Sequence, residues 1–430
     1  MRKISALALV VALFFGVGAS AQDDFDLGIT DSRPAPIARR LPDISNDSRK
    51  SSPSEGALAA VKSANGFALR IFKEVAAGGD NVFLSPYSID VAFNMAMAGA
   101  SDATLDEFLS VLGHADGEET AQKNTGELLG FINSIQAKGD ITLAAANAIW
   151  PDIKFSLLPL FVETLKNVYQ VDMQSLDFAG NKSEVVQTIN SWVKEKTAGK
   201  IEGPMTEGMV DEKTGMILIN AIYFKGNWAE KFEKSATRPA DFHISPAKTV
   251  KVNMMRQSGD FRFYSCSEFK ALEMLYAGDD LSMMVLLPAE GLNIANLSEK
   301  LSPEFLTRVA NSMHKTEVIV GVPSFKLETE FGLNNAIQAL GLAKAFDSKA
   351  EFKRITDKSG LFISSAIHKA FVEVNEEGTE AAAITMLEVQ PESYSEPDEF
   401  IADRPFVFII RERQTGCILF MGTLVNPPAA

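Results

Sequence analysis

The sequence predicts an α+β protein, with helices gathered in its first half and mainly antiparallel strands in its second. Three observations carry that reading. Helical periodicity dominates residues 58–200. Apolar blocks rich in β-branched or bulky residues dominate after residue 216. The chain has no internal repeat and no β-α-β alternation, which argues against a parallel α/β sheet.

The elements follow in order. Met1-Arg2-Lys3 precedes an almost unbroken apolar run from Ala6 to Phe15, and Ala19-Ser20-Ala21 fits a small-x-small cleavage site. Residues 1–21 are therefore expected to be a signal peptide, with Gln22 as the mature N-terminus. The run is shorter than the roughly 20 residues of a spanning helix, so the expectation is secretion, extracellular or periplasmic by host. Residues 22–56 mix Pro, Ser, Asp and Arg without apolar periodicity and are expected to form a flexible leader. A single domain over 57–428 should follow. Its first helix is read from Ala64, Phe67, Ala68, Ile71, Phe72 and Val75, which share one helical face, and Ala76-Ala77-Gly78-Gly79-Asp80 ends it. SPYSIDVAFNMAMAGA reads as a second helix, with Ser85 or Ser88 near its cap and a small-residue surface for close packing. Strands are expected at Met216–Phe224, Leu281–Leu287, Glu317–Val320, Phe371–Val374, Phe406–Ile410 and Cys417–Val425.

Composition excludes several kinds of chemistry. The formal charge is −15, and loss of Arg2 and Lys3 with the signal peptide makes it −17. A field of that sign repels nucleic acid, anionic membranes and heparin-like polymers, so none of these is an expected partner and polyanion activation is argued against. Two cysteines, Cys266 and Cys417, make no disulfide framework; they either pair or remain as thiols. Four histidines without HExxH spacing, and no CxxC, supply no metal motif. GxSxG, GxxxxGK[ST] and GxGxxG are also lacking, so nothing points to an enzyme or a cofactor. His368 lies alone in the apolar stretch LFISSAIHKAFVEV, where a histidine is ordinarily a hydrogen-bonded core residue.

From Leu58 to Pro427 the chain carries six segments that, together and in order, resemble the serpin family. Asn81, Phe83 and Ser85-Pro86-Tyr87-Ser88-Ile89 resemble its N-x-F-x-SP-x-SI segment. Ile189-Asn190-Ser191-Trp192-Val193 with Thr197 and Gly199-Lys200-Ile201 resemble its IN-x-WV…T-x-GKI segment. Asn220 to Trp228 (NAIYFKGNW) match its NA-x-YFKG-x-W segment almost residue for residue. Ser364, His368, Lys369 and Ala370 lead into Glu376-Glu377-Gly378-Thr379-Glu380-Ala381-Ala382-Ala383, similar to its hinge. Arg404-Pro405-Phe406 and Phe420-Met421-Gly422 complete the C-terminal signature.

The resemblance implies a fold of three β-sheets with eight or nine helices and an exposed reactive-centre loop, about residues 376–402. It implies a monomeric suicide substrate: a serine protease cleaves the loop, becomes acyl-linked to it, and is trapped when the loop inserts into the main sheet. By resemblance Ser85, Ser88, Asn220 and His368 form a hydrogen-bonded cluster where the sheet parts, and Trp228 packs near the point of insertion. One departure stands out. The family often has a basic residue after the proline of the segment matching Val322-Pro323-Ser324-Phe325, paired with the acid matching Glu376; here Ser324 takes that place.

The loop's own residues suit insertion. Alternate residues of a strand face opposite sides. One face would hold Thr379, Ala381, Ala383, Thr385, Leu387 and Val389, none of them charged; the other would carry Glu380 and Glu388. A buried unpaired charge would oppose insertion, and no proline interrupts the ladder from Thr379 to Gln390. Gly378 supplies a permissive backbone at the hinge. From Gly378 to Glu392 the strand would gain about 46 Å at roughly 3.3 Å per residue.

Two counts give two scissile bonds. From the hinge, the family's spacing gives Glu392–Ser393 and a glutamate-preferring protease. From the C-terminal strands, it gives Tyr394–Ser395 and a chymotrypsin-like one. Met386 or Leu387 would leave too short a strand. No Arg or Lys lies between Glu376 and Ile401, which argues against trypsin-like targets. A non-inhibitory relative, such as a carrier, storage protein or chaperone, is the alternative; such proteins tend to carry bulky, charged or proline residues in the hinge.

Overall fold

The computed structural model describes residues 52–171, 173–379 and 397–427. Among them are nine α-helices: α1 Glu55–Ala76, α2 Pro86–Met97, α3 Asp102–Leu112, α4 Glu118–Gln136, α5 Pro159–Tyr169, α6 Lys182–Lys196, α7 Ile294–Lys300, α8 Pro303–Ser312 and α9 Asn334–Ala339. The strands are β1 Val82–Leu84, β2 Ile141–Pro151, β3 Met216–Asn227, β4 Arg238–Ser245, β5 Lys248–Ser265, β6 Phe269–Leu275 and β7 Leu281–Pro288. They continue with β8 His314–Pro323, β9 Phe325–Gly332, β10 Ile363–Asn375, β11 Gly378–Thr379, β12 Asp398–Ile401, β13 Phe406–Glu412 and β14 Ile418–Leu424.

Helix α1 begins two residues before the expected domain start at 57. Ser54 Oγ accepts from the Ala57 N–H at 3.0 Å, so a local cap extends the helix into the polar leader composition. Ala64, Phe67, Ala68, Ile71 and Phe72 are buried along it, as their spacing predicts. Ser85 caps α2 by accepting from the Ser88 N–H at 3.2 Å, and Pro86 occupies the first turn. Every residue of α2 is buried; the helix is apolar nearly all round, with Asp90 and Asn94 hydrogen-bonded to each other. The expected strands recur as β3, β7, β8, β10, β13 and β14. Strand β2 was not among the expected elements. Its Ala-rich ITLAAANAIW lies in the helical half, and pairing with β3 along its whole length overrides its weak strand propensity.

Two hydrogen-bonded sheets result. The first has order β2-β3-β11-β10-β9. Within it β3 and β10 run parallel from Met216 and Ile363 to Tyr223 and Phe371. Beyond that they part, and β11 lies between them, antiparallel to both. The second sheet has order β1-β14-β13-β7-β6-β5-β8-β12, with β4 paired to β5. The third sheet implied by the resemblance is the arm β4-β5-β8-β12, joined to the rest through β5. The first part of that strand pairs β4 and its end pairs β6.

The two-residue period of β3 sorts its side chains. Ile217, Ile219, Ala221 and Tyr223 pack with Val185, Ile189 and Val193 of α6. Leu218, Ile222 and Phe224 face the main core. Asn220 shares the parity of the second group, so the fold points a polar group inward. Cys266 and Cys417 are both free thiols, half-buried and buried respectively.

Candidate functional site

Strand register brings the polar residues into one row. Asn220 on β3 lies opposite Asn147 on β2 and His368 on β10. Above the row sits the start of α2, which packs against β2, β3 and β14. His368 is fully buried; its Nε2 accepts from the Ser85 N–H at 3.1 Å. Its Nδ1–H donates to Asn220 Oδ1, which fixes the tautomer. The Asn220 amide donates to Ser88 Oγ and to Asn147 Oδ1, Ser88 Oγ donates to Asn147 Oδ1 at 3.1 Å, and Ser85 Oγ donates to Leu419 O at 2.7 Å. Burial pushes the His368 pKa down to about 3, so the ring is neutral and can both donate and accept. Ser85, Ser88, Asn220 and His368 thus meet in one place. Asn147 completes the cluster and went unread: a lone asparagine in an Ala-rich run has no distinguishing pattern.

The head of the same sheet holds Trp228 and the hinge. Trp228 stacks on Tyr276 with centroids 4.7 Å apart and planes 14° apart. Its Nε1–H donates to Asn375 O at 3.0 Å, and its backbone N–H donates to Glu377 O at 2.9 Å. The Phe232 N–H likewise donates to Glu376 O at 2.9 Å. The corner between β10 and β11 is thereby tied to the segment after β3.

At that corner Glu376 and Glu377 have different partners. Glu376 accepts from Thr237 Oγ1 at 2.6 Å. Glu377 pairs with Lys231 and Lys234, each at 3.0 Å, and Lys231 and then Lys234 hold its carboxyl below the usual range. Ser324 makes no ion pair; its backbone N–H donates to Asn253 O at 2.8 Å. In this chain the lysines therefore pair with Glu377, while Glu376 is held by a hydroxyl. Lys231 and Lys234 carry no sequence signal, because their partner lies some 146 residues away.

Gly378 has φ +144°, a region that favours glycine, and a Cβ there would lie 2.3 Å from Gly226 O. Thr379 is fully buried, with Oγ1 3.0 Å from the Tyr276 hydroxyl. Glu380, Ala381, Ala382 and Ala383 lie outside the described residues, as do both candidate bonds, Glu392–Ser393 and Tyr394–Ser395. The signal peptide and nearly all of the leader lie outside them too. The described chain resumes at residue 397 and enters β12, parallel to β8.

Comparison with known proteins agrees with this architecture. The family model described as "Serpin (serine protease inhibitor)" matches residues 62–427. The chain is 37% identical to Iris of Ixodes ricinus over 368 residues, covering 83% of this chain and 96% of that protein. It is 38% identical to leukocyte elastase inhibitor of Bos taurus, covering 81% of this chain and 93% of that protein. Among solved structures it is similar to Serpin48 of the insect Tenebrio molitor, with TM-score 0.77, 30% identity, and coverage of 86% of this chain and 98% of that one.

Proposed function

Because the chain belongs to the serpin family, we propose that it is a suicide-substrate inhibitor of serine proteases that traps its target by inserting its cleaved loop between β3 and β10. One observation carries the proposal: β11 already occupies the head of that gap, paired antiparallel with Val374 and Asn375 on one side and Gly226 and Asn227 on the other. It supplies the first rungs of the strand that insertion would extend.

The register supports the same reading. Buried Thr379 sets the phase, so residues of like parity, Ala381, Ala383, Thr385, Leu387 and Val389, would follow it toward the core. Glu380 and Glu388 would face away. Insertion would also exchange one parallel ladder for two antiparallel ones, a gain in hydrogen bonding that can drive the movement. The cluster of Ser85, Ser88, Asn147, Asn220 and His368 bridges β2, β3, β10 and α2 where the strands must separate. In this role it holds the sheet closed by bonds that can re-form after the strands move.

The chemistry proposed for the loop is that of an interrupted proteolysis. The protease serine oxygen attacks the Glu392 carbonyl, the amine of Ser393 leaves with a proton, and an ester joins the enzyme to Glu392. Insertion then carries the ester away before water reaches it. Tyr394–Ser395 is the alternative bond. The protein would act as a secreted monomer, be no enzyme itself, and use no cofactor.

The test mixes the mature protein with a glutamate-specific serine protease and, separately, with chymotrypsin. A complex that survives a denaturing gel, with a released peptide starting at Ser393, is the expected result. A peptide starting at Ser395 would move the bond to Tyr394. Loop cleavage by both enzymes with no complex at any ratio would overturn inhibition and favour a carrier, storage or chaperone role.

A further inference from the structure

The segment that follows β3 holds the corner between β10 and β11 by backbone and side chains alike. Its backbone reaches both acids of the corner, the Trp228 N–H donating to Glu377 O and the Phe232 N–H to Glu376 O, each at 2.9 Å. Its side chains hold the same two residues. Thr237 Oγ1 donates to Glu376 Oε1 at 2.6 Å, and Lys231 and Lys234 close on the Glu377 carboxylate at 3.0 Å each. The segment is itself anchored: the Ala229 N–H donates to Leu275 O at 2.9 Å, Trp228 and Phe232 are buried, and Trp228 stacks on Tyr276. Glu377 is thus fastened to a packed support, its side chain only 11% exposed.

What these contacts favour follows from where they lie. Gly378 and Thr379 already pair with both flanking strands, and loop insertion would add residues after Thr379 without moving Glu377. The two ion pairs therefore belong to the molecule before and after insertion alike. A contact common to two states shifts nothing between them. The state it does oppose is the one in which β11 withdraws from the gap. Withdrawal would take Glu377 from both lysines, Glu376 from Thr237, and Thr379 from the Tyr276 hydroxyl. It would also return conformational freedom to Gly378, a gain that these contacts offset.

We propose that Lys231 and Lys234 are positioning residues: by holding Glu377 they keep β11 seated at the head of the gap, so that a cleaved loop extends a strand already begun. The lysines are a seat for the hinge and not a restraint on its insertion. Seating matters because insertion must outrun hydrolysis of the ester, and the ordering cost of the first rungs is met in advance. Only this consequence rests on the inhibitory reading; the seating of β11 does not.

Hydrogen exchange of the intact protein, read on the peptide spanning Asn375 to Thr379, tests the seat. Lys231→Met with Lys234→Met keeps the apolar stems and removes both charges, and should speed exchange there about tenfold. Lys231→Arg with Lys234→Arg should restore it to within about twofold of wild type. Glu377→Gln should act in the same direction as the methionine pair, and combining the three changes should add little, because each removes the same ion pairs. Unchanged exchange, or effects that add in full, would overturn the seat. Glu377→Gln decides the matter if the methionine variant fails to fold. The consequence is read by titrating whichever protease the wild type traps, the glutamate-specific enzyme or chymotrypsin. Glu377→Gln should consume about threefold more protein per enzyme trapped, without a matching fall in the association rate. An unchanged stoichiometry, with inhibitory activity lost faster than in wild type on warm storage, would mean that the lysines restrain the hinge and would overturn the proposal. A protein whose corner loosens as described yet traps no protease keeps the seat and loses the inhibitory reading. One that traps a protease, with exchange indifferent to Glu377→Gln, loses the seat alone.

Discussion

His368 and Asp90 are both buried ionisable residues held neutral, and they respond to pH in opposite directions. Burial lowers the His368 pKa to about 3, against about 6.5 in an unfolded chain. The unfolded chain thus binds a proton first as the pH falls. The stability contributed by neutral His368 is complete above about pH 6.5 and is lost toward pH 3, at about 1.4 kcal/mol per unit. In urea, His368→Gln should be less stable than wild type at pH 7, and the gap should narrow at pH 5; a constant gap would contradict the assignment. Asp90 is buried on α2, accepts from Asn94 Nδ2 at 3.1 Å, and leaves Oδ1 unpartnered. Burial raises its pKa to about 8, so the folded state keeps a proton that the unfolded chain releases near pH 4. Its contribution is intact below that pH and is lost as the pH rises toward 8. Asp90→Asn should gain on wild type by about 1.4 kcal/mol per unit between pH 5 and 7. A gain independent of pH would mean that Asp90 is ionised.

The hinge element turns a sequence pattern into a geometric constraint. The small, uncharged alternation from Thr379 onward is legible in the residues, but its phase relative to the core is not. That phase depends on Tyr276, 103 positions away, meeting Thr379. Thr379→Arg would place a charge in a fully buried site, at a cost of several kcal/mol. The variant should still be cleaved by the target protease, while the trapped fraction on a denaturing gel falls at least about tenfold; undiminished trapping would contradict insertion in this phase. At Gly378 the φ of +144° and the approach of Gly226 O leave no room for a Cβ. Gly378→Ala should expel β11, read as faster hydrogen exchange at Thr379. The anchoring of Glu377 by Lys231 and Lys234 could not be read locally, because lysines at that spacing on a loop look like any solvated surface.

At the scale of the molecule, the parallel β3–β10 pair is the weak point of an otherwise mainly antiparallel sheet. Parallel pairing is slightly less stable per residue, and the two strands separate above Tyr223 and Phe371. If loop cleavage lets the new strand run the length of that gap, each added residue contributes backbone hydrogen bonds worth about 0.5–1.5 kcal/mol net. The cleaved protein should then melt higher than the intact one, by on the order of 10 °C for a chain of this size. Calorimetry before and after limited proteolysis checks it; an unchanged or lower midpoint would contradict insertion. The six family segments, read in order, already imply the serpin fold, and the family match over residues 62–427 bears that fold out.

By themselves the residues determined the class of fold, the first two helices, six of the strands, and the uncharged face of the loop. Periodicity, caps and alternation are local properties, carried by neighbours in the chain. Only the tertiary structure decided that Asn147 joins Asn220 and His368, that Glu377 rather than Glu376 takes the lysines, and that Thr379 is already buried between β3 and β10. Each of these depends on strand register or on a contact across tens to hundreds of residues, and a one-residue slip would have turned every such side chain to the opposite face.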